Sequence, residues 1–249
     1  MSGADFDNPY LSVVIPAYNE EDRLGTTIAA VRSYTLTKGF ATEVIVVDDG
    51  SRDRTAERAA DALRGFAGGR LIRLPKNLGK GAAVKAGVLA ARGELILFSD
   101  ADLSTPIKEL DKFLPWVEQG FDVVIGSRAL PGADIRARQS RFRELMGKTF
   151  NRILRRAFLE DIPDTQCGFK LFSEKAAKAV FPLVETRGFS FDVEALLLCR
   201  RFGFRIRQVP VVWCNSPQSK VRIVGSSLAM LVELWKLKRR HRNPSDWRE

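Results

Sequence analysis

Short apolar runs recur along the first half of the chain, and each breaks off into polar residues. LSVVIP (11–16) runs into AYNEE, EVIVV (43–47) into DDGS, RLIRLP (70–75) into KN, ELILFS (94–99) into DAD, and FDVVIG (121–126) into SR. Runs of this length, rich in β-branched residues, predict buried strands. The segments between them carry helical signals. Asn19 is placed to cap a helix reaching about Lys38, with Leu24, Ile28 and Val31 on one face, and Ser51 is placed to cap the next. GKGAAVKAGVLAARG (79–93) predicts an Ala-rich helix closed by Gly93, and IKELDKFLPWVEQG (107–120) a helix that continues through Pro115. Strand and helix alternate, so the pattern predicts an α/β layer fold with a mostly parallel sheet flanked by helices.

After Arg128 the rhythm changes. A Gly/Arg-rich loop (129–140) precedes a segment in which Phe142, Leu145, Met146, Phe150, Ile153, Leu154 and Phe158 share one helical face among many arginines. GFRIRQVPVVW (203–213) returns to a strand pattern, and SLAMLVELWKLKRRHR (227–242) predicts a last amphipathic helix with a cationic end. No repeat or low-complexity stretch divides the 249 residues. A single domain over 1–249 is expected, with basic amphipathic segments at about 136–158 and 226–242.

Charge and composition narrow the function. The formal net charge is +10, which suits anionic partners such as nucleotides or an acidic membrane face. Nothing interleaves aromatic and basic residues as a nucleic-acid surface would, so nucleic acid is not expected as a partner. Cys167, Cys199 and Cys214 form no CxxC pair, which argues against zinc or a disulfide framework and for a reducing compartment. His241 is the only histidine and lies in the basic tail, so a Ser-His-Asp or Cys-His unit lacks its base. No apolar stretch is long enough to span a bilayer, and the N-terminus lacks a signal-peptide pattern.

The chemistry concentrates where strands end. In open α/β sheets, ligands bind outside the carboxyl ends of the strands. The strongest case is LILFSDADLSTP (95–106), where a buried run stops at Asp100 and Asp102 follows after Ala101. Two carboxylates about 5 Å apart repel by roughly 3 kcal/mol at an effective dielectric near 20. A hard divalent cation, Mg²⁺ or Mn²⁺, converts that repulsion into binding and shares its remaining positions with substrate phosphates. Lys80 does not belong to a P-loop, since Leu74 stands at the first Gly position and Gly81 replaces Ser/Thr; Val84 likewise breaks GxGxxG.

VVIPAYNEE, VIVVDDGSRDRT, KNLGKGAAVKAG, RGELILFSDADLSTP, VIGSR and DTQCGFKLF occur in this order across most of the chain. Together they resemble the family 2 inverting glycosyltransferases of GT-A fold, and within them the dolichyl- or polyprenyl-phosphate sugar synthases, most of all the glucosyltransferase branch. The resemblance implies a nucleotide pocket at Pro16, Ala17, Tyr18, Asn19 and Glu20. It also implies a base or ribose contact at Asp48 beside Asp49, and diphosphate contact at Lys80. For Asp48 and Asp49, helix capping together with Ser51 is the structural alternative. The resemblance further implies metal binding by Asp100 and Asp102 around Ala101. Ser104 stands where the mannosyl branch often has a glutamine, which weighs against a third side-chain ligand. Arg128 and Arg143 match positions linked with the acceptor phosphate, Asp164 matches an acid near the reaction centre, and Lys220 falls in a Ser-Lys motif. For Arg128, Arg143 and Lys220 the alternative is a surface role, and for Asp164 a turn beside Pro163. The implied reaction transfers a hexose, glucose from UDP-glucose, to polyprenyl or dolichyl phosphate; mannosyl transfer from GDP-mannose and a non-catalytic nucleotide- or membrane-binding module are the rivals. The lipid acceptor implies a cytoplasmic protein held peripherally on the inner, anionic face of a membrane, through the 136–158 helix. An ordinary core-facing helix is the other reading of that segment.

Overall fold

The computed structural model describes residues 8–136, 159, 161–214, 233, 239 and 240. The first five strands form on the predicted apolar runs: β1 Leu11–Ala17, β2 Thr42–Asp48, β3 Gly69–Arg73, β4 Leu95–Ser99 and β5 Val123–Ser127. Further on come β6 Asp134–Ile135, β7 Phe169–Ser173, β8 Ile206–Pro210 and β9 Val212–Trp213. Seven strands build one sheet in the order β3-β2-β1-β4-β7-β5-β8, while β6 and β9 pair separately. All neighbours in the large sheet run parallel except those of β7, which lies antiparallel between β4 and β5.

Successive side chains of a strand point to opposite faces, and here both faces are covered. Val13 and Ile15 of β1 and Leu95 and Leu97 of β4 pack with helices α1 Leu24–Lys38 and α2 Thr55–Leu63 and with Phe113. Val14, Ile96 and Phe98 pack on the other side with α3 Lys80–Ala90, α5 Glu174–Val180 and α6 Phe191–Arg201. Double coverage explains why the strands read as continuous apolar runs rather than alternating ones. Each fully buried Leu, Ile, Val or Phe contributes roughly 1.5–3 kcal/mol.

Four local expectations differ. Helix α1 starts at Leu24, with Arg23 in the cap position and no side-chain cap bond. Asn19 instead adopts φ 55° and accepts from the Arg52 amide at 2.9 Å. Ser51 does not cap α2; its hydroxyl accepts from the Asn19 amide at 2.9 Å, and Arg54 precedes the helix. These bonds splice the loops after β1 and β2 to each other, a long-range use that local capping rules do not foresee. Helix α3 ends at Ala90, because Ala91 is already extended; the Gly93 amide donates to Ser12 Oγ at 2.8 Å. Pro115 breaks the expected 107–120 helix into a 3-10 segment, Ile107–Lys112, and the short helix α4 Leu114–Glu118, as its missing N–H requires. The amphipathic segments expected at 136–158 and 226–242 lie outside the described residues except for Arg136, Glu233, Arg239 and Arg240.

The chain leaves β1 for β2 and β3 on one side and for β4 on the other, so the sheet has its switch point between β1 and β4. The carboxyl ends of β1, β2, β4 and β5 and the amino end of β7 meet along the same edge. That is where open α/β sheets place ligands.

Candidate active site

A cleft of about 560 Å³ opens at this edge. Pro16 and Ala17 at the end of β1 line it with Tyr18 and Glu20 just beyond, Asp49 after β2, Asp100, Ala101 and Asp102 after β4, and Arg128 after β5, with Lys80 from the start of α3. Most of the predicted site residues therefore converge. Asn19, Asp48 and Asp164 are not among the lining residues; Asp164 is buried behind Arg128. Asp48 is 1% exposed, accepts from the Ser51 amide at 3.0 Å and lies 3.6 Å from the Arg73 guanidinium. Arg143 and Lys220 lie outside the described residues.

The turn after β4 shows how the acids are set. Leu103 takes φ 44°, a left-handed conformation that costs a side-chain-bearing residue roughly 1–3 kcal/mol. The turn is closed by the Leu103 amide on the Asp100 carbonyl at 3.1 Å and by the Ser104 amide on Asp102 Oδ1 at 2.9 Å. Thr27 of α1 donates its hydroxyl to the Ala101 carbonyl at 2.6 Å. From the far side, the Gly168 carbonyl accepts from the Asp100 amide at 3.0 Å. A Cβ on Gly168 would lie 1.9 Å from Asp100 Oδ2, so only glycine leaves room for that carboxylate.

Cations gather around both acids. Lys80 Nζ is 2.6 Å from Asp100 Oδ1, and Arg23 Nη1 is 3.8 Å from Asp102 Oδ2. Burial pulls the Lys80 ammonium down, but Asp100, Asp192 and Asp102 outweigh it and hold the group above its ordinary value. Arg23 is bound through a side-chain hydrogen bond to Glu20, which raises it further. Among the described residues no cluster of three or more His, Cys, Asp or Glu could hold a metal. Two hard carboxylates on a cleft wall, already drawing an ammonium and a guanidinium, fit a Mg²⁺ or Mn²⁺ ion that takes its other ligands from substrate oxygens and water.

Asp49 accepts from the Leu78 and Gly79 amides at 2.7 and 2.9 Å, and burial raises its pKa against them. It thus fixes the approach to α3, where Gly79 takes φ 102° against the Arg187 carbonyl. Neither Asp48 nor Asp49 caps a helix with Ser51.

On the β5 side, Arg128 and Asp164 form a forked pair. Nε donates to Oδ2 at 2.7 Å, Nη2 to Oδ1 at 2.8 Å, and the Arg128 amide to Oδ2 at 2.9 Å. Burial alone would raise Asp164, yet the guanidinium charge and these bonds bring it down to about 2. Burial likewise opposes the charge on Arg128, and Asp164 overrides it and pushes the guanidinium pKa up. The Arg128 guanidinium stacks 5.6 Å over Trp213, another lining residue. Glu109 sets that tryptophan's strand by accepting from the Val212 amide at 3.0 Å.

Some functional candidates were not anticipated from the sequence. Arg23, Asn77, Phe189 and Trp213 line the cleft, and Lys170 and Asp192 form a buried pair beneath it. A lysine within the apolar strand FKLFS was a signal for that pair.

Residues 12–181 match the glycosyl transferase family 2 model. A dolichyl-phosphate beta-glucosyltransferase of Trichomonas vaginalis is 37% identical over 236 residues, covering 90% of this chain and 69% of the relative. The human dolichyl-phosphate beta-glucosyltransferase is 36% identical over 241 residues, covering 90% and 74%. Among solved structures, glucosyl-3-phosphoglycerate synthase from Mycobacterium tuberculosis, in complex with Mn²⁺, UDP and glucosyl-3-phosphoglycerate, superposes with a TM-score of 0.63. It is 22% identical and covers 92% of this chain and 80% of its own, a likeness that bears on the fold and agrees with the expected GT-A architecture. The family match runs from β1 through the antiparallel strand behind Asp100, and the relatives align over nine-tenths of the chain: it belongs to glycosyl transferase family 2.

Proposed function

We propose that the chain transfers glucose from UDP-glucose to the phosphate of dolichyl phosphate or a related polyprenyl phosphate, with inversion at the anomeric carbon. The observation that carries this reading is the pairing of two charged walls in one cleft. The Asp100–Asp102 turn and Lys80 line the β4 side of the cleft, and Arg128, gripped from behind by Asp164, lines the β5 side; in this reading the first takes the donor diphosphate and the second an anionic acceptor. The named relatives support the sugar and the lipid.

In this reading an acceptor phosphate oxygen attacks the anomeric carbon while the bond to the UDP oxygen breaks, the electron pair leaving on the diphosphate. A phosphate monoester has its second pKa near 6, so the attacking oxygen is mostly unprotonated at neutral pH and needs little base assistance. Asp164 fits that requirement. Held down to about 2 and occupied by three bonds from Arg128, it is a poor proton acceptor but a rigid anchor for the guanidinium that receives the phosphate. Lys80, at the start of α3, supplies a fixed positive charge where the diphosphate leaves. Asp100 and Asp102 would hold Mg²⁺ or Mn²⁺, which when bound neutralises charge developing on the diphosphate. Tyr18 and Glu20 on the β1 side are assigned to the nucleotide.

Among the described residues no helix is long and apolar enough to cross a membrane. With a lipid acceptor, the net charge of +10 and the arginines of 141–156 support peripheral contact with an anionic bilayer surface from the cytoplasmic side.

The test is incorporation of radiolabel from UDP-glucose and, in parallel, GDP-mannose into organic-extractable product with a short polyprenyl phosphate and Mn²⁺. Transfer from UDP-glucose with a larger kcat/KM is expected. Preference for GDP-mannose would replace the donor assignment, and no transfer from either would remove the reading.

A further inference from the structure

Beneath the cleft lies an ion pair to which the proposed reaction assigns no role. Lys170 Nζ is 2.6 Å from Asp192 Oδ1, and the two side chains are 1% and 4% exposed. Lys170 sits mid-sheet on β7, and Asp192 sits in the first turn of α6. A charge pair this deep is expensive to desolvate, and apolar residues of similar volume often serve stability as well or better. Packing alone therefore gives a weak account of it.

Its contacts lead to the donor side of the cleft. Lys170 also donates to the Cys167 carbonyl, the peptide that enters Gly168. Gly168 is the residue whose carbonyl accepts from the Asp100 amide and whose α-carbon lies against the Asp100 carboxylate. On the other flank, Lys170 Nζ and Lys80 Nζ lie 5.8 and 5.2 Å from the centre of the same ring, Phe98, which is itself stacked edge-on against Phe191 beside Asp192. The negative charge of Asp192 acts on both lysines. The pair thus touches the peptide that seats one acid of the cleft and shares an aromatic platform with the cation that faces it.

We propose that Lys170 and Asp192 are positioning residues for the donor site: they fix the Cys167–Gly168 turn and the Phe98 platform, and through them hold Asp100 and Lys80 in the arrangement that takes a divalent cation with a nucleoside diphosphate. The inference rests on the proposed donor site and adds a buried support to it. Partners behind a metal-side ligand commonly alter metal affinity or activity about 10- to 100-fold when removed.

The experiment compares Mn²⁺ binding, by electron paramagnetic resonance in the presence of UDP, for the full chain and three variants. Lys170→Met alone leaves Asp192 buried without its counter-ion and is expected to unfold readily. The informative variant is therefore Lys170→Met/Asp192→Leu, which removes both charges together and is expected to keep wild-type circular dichroism and a cooperative thermal transition. Its Mn²⁺ affinity in the presence of UDP should fall by about 10- to 100-fold. Lys170→Arg, which retains the charge and the donors to Asp192 and the Cys167 carbonyl, should recover most of the affinity. A folded double variant that binds Mn²⁺ and UDP as the wild type does would overturn the proposal and leave the pair a packing element. A double variant that fails to fold would overturn it too, since the pair would then be needed for the fold itself. Absence of Mn²⁺ binding by the wild type in the presence of UDP would overturn the donor-site reading along with it, so the two failures are distinguishable.

Discussion

Gly168→Ala isolates the placement of one carboxylate. The substitution adds a single methyl group at a position with no left-handed backbone requirement, so its effect comes from the space it takes. That methyl would stand 1.9 Å from Asp100 Oδ2 and 2.2 Å from Cγ, against an ordinary contact distance of 3.4 Å or more. The carboxylate or the turn must give by about 1.5 Å. The turn resists, because the Asp100 amide is bonded to the Gly168 carbonyl at 3.0 Å and the next peptide toward the N-terminus is gripped by Lys170. Asp100 therefore swings out of its place beside Lys80. A misplacement near 1 Å can cost about 100-fold in rate, whereas overpacking by one methyl costs roughly 1–3 kcal/mol of stability. Expected are a folded protein and a kcat/KM for glucosyl transfer from UDP-glucose lower by about 100-fold. Initial rates with Mn²⁺ titrated at fixed donor, beside a thermal melt, provide the measurement. In an Asp100→Ala background, the same glycine substitution should add little, because both changes act on one carboxylate. Wild-type rates and an unchanged Mn²⁺ requirement in Gly168→Ala would refute the assignment of Asp100 to the metal side of the donor.

Asp102→Ala should abolish transfer and leave the fold intact, since it removes a ligand and a like-charge repulsion at once; activity of this variant, or of the wild type in excess chelator, would contradict the metal assignment. Asp164 titrates at about 2 in the folded chain against 3.8 unfolded, so the stability it lends is complete above the higher value and is lost as pH falls through the lower. Chemical denaturation in pH steps between these values should show the wild type losing about 2 kcal/mol more than Asp164→Asn, and equal losses would count against the buried fork. Reversing the charges of Arg152, Arg155 and Arg156 should weaken binding to anionic vesicles by a few kcal/mol, on a scale of roughly 1 kcal/mol per cation, while sparing UDP binding. Raised salt should mimic part of that loss, and unchanged co-sedimentation at low salt would return the 136–158 segment to a packing role.

The parts of the fold that were legible are those governed by local signals. Strands β1, β2, β4 and β5 are short, doubly buried and rich in Val, Ile and Leu, and β2, β4 and β5 end in a charged or small polar residue. The polar clusters at the ends of β1, β2 and β4, with Tyr18, Asp49, Asp100 and Asp102, were legible for the same reason, whereas Arg128 was reached through the family resemblance; all five line the cleft. What was not legible depends on partners distant in sequence. Asn19 and Ser51 have the chemistry of helix caps, but a tertiary bond between their loops takes precedence over capping. Strand β7 has the length and composition of a parallel strand and inserts antiparallel, a matter of connection rather than pattern. Lys170 and Asp192 lie far from any strand-end motif, and only the folded sheet brings them under Phe98.

Among the described residues the cleft has no histidine and much paired charge, and the proposed reaction accounts for both. Four carboxylates in or beneath the cleft each have a cation at hand: Asp100 has Lys80, Asp102 has Arg23, Asp164 has Arg128 and Asp192 has Lys170. Pairs with low exposure persist because breaking one leaves a buried charge uncompensated. The two outer pairs, at Asp100 and Asp102, are partly exposed, which in the proposed mechanism lets their cations change partners when an anionic donor enters. The two inner pairs are nearly closed to solvent on the carboxylate side and cannot exchange so cheaply. In the proposed mechanism a site built this way redistributes charge among ion-pair partners rather than moving a proton from a nucleophile to a base. That suits an acceptor which arrives already ionised and a leaving group whose difficulty is its negative charge. The same proposal predicts where the chemistry is vulnerable: a neutral substitution at Asp102 should stop transfer through loss of a metal ligand rather than of a proton acceptor.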